Sequence, residues 1–90
     1  MKDKLYIIRD PSSYWKLCEE ITGGRNIGII DSDFRLNGKR KMKGLRKSKD
    51  FTQTDGASTK GGSGYVGYIK FNSLNEAISF LEQWYDVRRT

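Results

Sequence analysis

The sequence predicts an α+β domain: a small antiparallel or mixed sheet with two helices on one face, in the order β-α-β-(β)-β-α. Three observations carry this expectation. β-Branched and aromatic runs recur at Lys4–Arg9, Asn26–Phe34 and Gly64–Phe71. Two stretches, residues 11–22 and 73–85, place apolar side chains at helical spacing. Glycine, serine and asparagine clusters punctuate the joins between them.

The elements follow in chain order. KLYIIR (Lys4–Arg9) reads as the first strand. Asp10-Pro11 then supplies an N-cap and a proline at the first helical position, and Tyr14, Leu17, Cys18 and Ile21 form the stripe of a helix that Gly23-Gly24 ends. NIGIIDSDF (Asn26–Phe34) is the second strand. Asn37-Gly38 is a strong hairpin signal, because both residues tolerate the positive φ of a tight turn. The following segment is expected to return as a strand through Met42 and Leu45, giving a basic hairpin over residues 34–49. TDGASTKGGSG, within residues 52–64, reads as a flexible Gly/Ser-rich loop. Gly64–Phe71 is a further strand, and Ser73 with Glu76 forms a capping box. The helix it opens is apolar at Leu74, Ala77, Ile78, Leu81 and Trp84 or Tyr85. No strand is expected in the closing DVRRT, which leaves an open sheet edge where a second copy could pair.

Charge is concentrated in one place. Of 17 lysines and arginines, eight (Arg35, Lys39, Arg40, Lys41, Lys43, Arg46, Lys47 and Lys49) fall between positions 35 and 49, with no acid among them. The chain as a whole carries +6; without those eight, nine basic side chains face 11 acidic ones, a balance of −2. Like charges so closely spaced repel one another, and a polyanion would offset that cost. The 90 residues suit one domain. There is no histidine and only one cysteine, Cys18. The commonest general base, histidine-dependent nucleophile activation and thiolate metal clusters are therefore excluded. No catalytic residue, cofactor or metal ligand is assigned. The lone cysteine and the lack of a signal peptide or long apolar run predict a cytoplasmic protein without membrane contact.

Gly67-Tyr68-Ile69-Lys70-Phe71 resembles the end of the longer signature of the RNA-recognition motif family, and Leu5-Tyr6-Ile7 resembles the start of its shorter one. Leu74-Asn75-Glu76-Ala77-Ile78 is similar to that family's second helix. The resemblance implies a ferredoxin-like sheet and outward aromatics that stack on unpaired bases. By strand parity these are Tyr6 and Tyr68, with Lys70 beside them. Phosphates would be held by the basic hairpin, with Lys60, Arg88 and Arg89 extending the footprint. The expected partner is single-stranded or structured RNA. The chain also resembles, in size, basic balance and lack of histidine, small phage-encoded inhibitors that use RNA to neutralise a bacterial ribonuclease toxin. That likeness implies a toxin or other host protein as a second partner, in the host cytoplasm.

Two other functions compete. A protein-binding inhibitor could dock the same basic hairpin on an acidic host enzyme. Ile27–Phe34, with Asp31 and Asp33, resembles the strand and paired carboxylates that hold magnesium in Toprim nucleases. That family also needs a glutamate at the end of its first strand, where this chain has Arg9-Asp10, so the likeness implies at most a degenerate fragment. The glycine-rich run at 56–64 lacks the Gly-Lys-Ser/Thr order and the following helix of a phosphate loop.

Overall fold

A computed structural model describes residues 1–59 and 61–90. Its strands are β1 (Asp3–Asp10), β2 (Tyr14–Cys18), β3 (Asn26–Ile30), β4 (Arg35–Lys39), β5 (Thr52–Thr59), β6 (Gly62–Lys70) and β7 (Tyr85–Arg89). Among the described residues one helix, α1 (Leu74–Leu81), precedes β7, and a single 3₁₀ turn spans Leu45–Lys47. The strands form one sheet in the order β5-β6-β4-β3-β2-β1-β7. All neighbours are antiparallel except β1 and β7, which run parallel. The expected two-helix arrangement is therefore replaced by a strand-rich mixed sheet with one helix.

The missing helix is the first. Residues 11–22 instead turn and return as β2. Asp10 Oδ1 accepts from the Ser12 amide at 2.9 Å, and the Asp10 carbonyl accepts from Ser13 at 3.1 Å. Ser13 takes φ 76°, completing a three-residue hairpin loop. An Asp-Pro pair serves a helix start and this turn equally well, because both place proline near φ −65°. Trp15 and Leu17 then pack on the main core while Tyr14 joins a second cluster on the other face. Ile21, which a helical stripe would bury, is 65% exposed. Gly23 and Gly24 do adopt positive φ, but at a turn between strands.

The second correction concerns Asn37-Gly38. The chain reverses earlier, at Asp31–Phe34, where Asp31 Oδ1 accepts from the amides of Asp33 and Arg35, each at 3.0 Å. Phe34 supplies the positive φ of 61°. Asn37 and Gly38 lie inside β4, paired with β3 on one side and β6 on the other. The basic segment is thus neither a hairpin nor a returning strand. It leaves β4 at Lys39, passes through the 3₁₀ turn and reaches β5 at Thr52.

Glycine placement explains where that segment goes. Gly28, Gly38 and Gly67 stand opposite one another on β3, β4 and β6. Three missing side chains in one transverse row leave a trench in the sheet. Met42 and Leu45 fill it over Gly28 and Gly38, and the Phe51 ring lies over Gly67, so that an added Cβ at any of the three would overlap these side chains. Met42 and Leu45 are 5% and 1% exposed. They join Leu5, Ile7, Leu17, Leu36 and Ile69 from the sheet and Ala77, Ile78 and Leu81 from α1. Burying each large aliphatic side chain contributes about 1.5–3 kcal/mol.

The remaining expectations divide. Half of the capping box forms: Ser73 Oγ accepts from Glu76 N at 3.2 Å, while Glu76 Oε1 reaches past the cap and accepts from Asn72 N at 3.4 Å. The helix ends at Leu81, so Trp84 follows it and Tyr85 begins β7. That final strand covers the edge of β1 that the sequence left open. The described part of residues 52–64 is no loop but the body of the β5–β6 hairpin. Near its tip, Gly61 O accepts from Asn26 Nδ2 at 3.3 Å and from the Tyr65 hydroxyl at 2.9 Å, closing over Ile29 on the second face.

Candidate nucleic-acid interface

The trench turns a repulsive run of charge into an ordered ridge. Its buried residues, Met42 and Leu45, alternate with exposed Arg40, Lys41, Lys43, Arg46, Lys47 and Lys49. The Lys43 amide donates to the Tyr85 hydroxyl at 2.8 Å, fastening the ridge to β7. Gly44, at φ 82°, lies against the Trp84 indole with no room for a Cβ. Lys47 Nζ sits 5.0 Å from the Trp84 ring centroid, within cation–π range. The Trp84 Nε1 is buried with no hydrogen-bond partner among the described residues.

Two of the cations are anchored by carboxylates. Lys41 Nζ meets Glu19 Oε1 at 2.6 Å, and Lys43 Nζ meets Asp3 Oδ2 at 2.6 Å. These hydrogen-bonded pairs raise the lysine pKa values and lower that of Asp3. All four side chains are well exposed, so the pairs add little stability. Lys39, Arg40, Arg46, Lys47 and Lys49 form no ion pair among the described residues.

The other sequence-assigned residues are dispersed. Arg35 opens β4, pairs with Asp33 at 3.3 Å and lies 5.5 Å from the Tyr68 ring centroid. Lys70, at the end of β6, donates to the Phe71 carbonyl at 2.9 Å. Arg88 pairs with Asp86 at 2.9 Å, and Arg89 donates to Asn75 Oδ1 at 2.7 Å. Lys60 lies outside the described residues. Tyr6 and Tyr68 are both half-buried, but β4, β3 and β2 separate their strands. Four strand spacings put them about 19 Å apart along the sheet, with the β5–β6 tip closing over Ile29 in between. They do not form one stacking platform.

Asp31 and Asp33 are likewise occupied. Asp31 holds the β3–β4 turn and lies 3.4 Å from Asn37 Nδ2, while Asp33 pairs with Arg35. What sequence reasoning missed is a cleft of about 490 Å³ between residues 19–25 and the start of the ridge. Arg25 lines it together with Lys39 and Arg40. No local signal marks Arg25, whose place beside the ridge comes from the pairing of β3 with β4. The chain matches no protein-family model, no curated protein and no solved structure. Among the described residues no helix is long and apolar enough to cross a membrane.

Proposed function

We propose that this protein is a non-enzymatic RNA-binding module whose basic ridge, residues 39–49, holds backbone phosphates. The observation that carries the reading is the set of four exposed cations, Arg40, Arg46, Lys47 and Lys49, without an acidic partner among the described residues, displayed on a segment that its own apolar residues pin to the core. Each phosphate contact would release condensed counterions and add affinity without reading sequence. A ridge already ordered in the free protein loses less entropy on binding than a flexible tail. Fluorescence anisotropy with a labelled single-stranded RNA in low salt tests this. Binding by the wild type, lost when Arg40, Arg46, Lys47 and Lys49 all become glutamine, is the expected result. Wild type that leaves the probe tumbling freely contradicts it.

A second reading is an inhibitor that sets the same ridge against an acidic protein such as a ribonuclease toxin. Lys41 and Lys43 favour it, since each already grips a carboxylate at 2.6 Å. Recovery of an acidic host nuclease on immobilised protein, unaffected by ribonuclease treatment and lost with the glutamine variant, would select this reading.

A further inference from the structure

The cleft beside the ridge has the chemistry of a nucleotide site. The Glu19–Lys41 pair is part of its lining. That pairing leaves Glu20 as a carboxylate with no cation, and Arg25, Lys39 and Arg40 as cations with no carboxylate, among the described residues. Ile27, only 4% exposed, gives the cleft an apolar wall. Gly24 and Gly64 border it with open space where their side chains would be. The cleft thus combines room for a flat apolar group with a lining of three cations free of carboxylates, Lys39 also lying 5.4 Å from the Tyr65 ring centroid, and one carboxylate free of cations, among the described residues.

We infer that this cleft takes one unpaired guanosine of the bound RNA, with its phosphate on Arg25, Lys39 and Arg40 and the pairing edge of its base on Glu20. The inference rests on the phosphate-binding reading of the ridge. A base inside the cleft cannot also be paired in a duplex, so the substrate is single-stranded. Guanine is the base with two adjacent N–H donors, N1–H and the 2-amino group, on its pairing edge. A carboxylate accepts both at once, the bidentate geometry that gives strong discrimination. Adenine, cytosine and uracil each present an acceptor beside their donor and would turn a lone pair toward Glu20.

The test compares a short oligouridine with the same oligomer carrying one central guanosine, titrated against the full-length protein at fixed salt. The wild type should bind the guanosine oligomer about tenfold more tightly. Glu20→Gln should remove that preference while leaving oligouridine affinity unchanged or raised, because a negative charge has gone. Glu20 is exposed, so the variant keeps the fold, which circular dichroism would check. Replacing guanosine by inosine, which lacks the 2-amino group, should lose most of the preference in the wild type. Equal wild-type affinity for the two oligomers, or a preference that survives Glu20→Gln, overturns the guanosine site while phosphate binding stands. If neither oligomer binds the wild type, both readings fall.

Discussion

On one face of the sheet, Gly28, Gly38 and Gly67 open a trench, and Met42, Leu45 and Phe51 of the basic segment settle into it. On the other face, Ile29, Tyr14 and Tyr65 form a smaller cluster, closed by a hairpin tip through Gly61 and the hydrogen bonds of Asn26 and Tyr65. Both faces use glycine to admit a crossing segment, but the segments differ in kind. The first brings six exposed cations, Arg40, Lys41, Lys43, Arg46, Lys47 and Lys49, within reach of solvent. The second is rich in serine, threonine and glycine, with one acid and one base between positions 52 and 64. The contrast teaches that the charge cluster is built into the fold: its apolar residues are part of the main core, so the cations cannot drift away from the sheet.

The two faces can be broken separately. Leu45→Ala should have the largest effect, about 2–5 kcal/mol of stability, since it empties a fully buried site in the main core. Urea unfolding would measure it, and trypsin should cut the ridge faster than in the wild type. Gly38→Ala forces a methyl group against Leu45 and Met42 and should cost about 1–3 kcal/mol. Its trypsin cleavage should again concentrate within residues 39–49. Tyr65→Phe removes the hydroxyl that donates to Gly61 O and pairs with Asn26 Nδ2 at 3.0 Å. It should cost about 1–2 kcal/mol yet leave the ridge as resistant to trypsin as before. Equal acceleration by Tyr65→Phe and Gly38→Ala would erase the distinction between the faces.

The smallest effect concerns Asp3. Its hydrogen bond and charge interaction with Lys43 hold its carboxyl below the ordinary value. A folded pKa below the unfolded one gives stability that is present at neutral pH and lost as pH falls through the carboxylate range, below about 4. Asp3→Asn should therefore lower the urea midpoint slightly at neutral pH, and the difference should vanish in acid. A difference that persists at low pH would show that Asp3 acts otherwise than through its charge.

Legibility in the sequence followed how local each signal was. Lys4–Arg9 and Gly64–Phe71 were readable because the alternation of Leu5, Ile7 and of Gly67, Ile69 is a property of the strand itself. The Ser73–Glu76 capping box was readable for the same reason. Asp10-Pro11 misled because a helix start and a tight turn ask for the same two residues, and the pairing of β2 with β1 and the exposure of Ile21 separate them in the structure. Asn37-Gly38 misled because the glycine answers a packing demand from Leu45 and Met42 and no conformational one. β7 was hidden because Tyr85–Arg89 becomes a strand only by pairing with β1, some eighty positions away. The ridge residues were legible as charge, but their ordering was not. Arg25 and the cleft were invisible, since the pairing of distant strands creates them.

The central claim is that the docked ridge neutralises RNA phosphates. The dependence of RNA affinity on salt concentration, compared between wild type and the triple variant Arg46→Gln, Lys47→Gln, Lys49→Gln, addresses it directly. Each single-strand phosphate contact contributes about 0.7 to the steepness of the log–log plot. The account predicts a plot shallower by about 2 for the triple variant, with its unfolding midpoint lowered only slightly by loss of the Lys47–Trp84 contact. Parallel plots for the two proteins, or a wild type that ignores RNA even in dilute buffer, would contradict it.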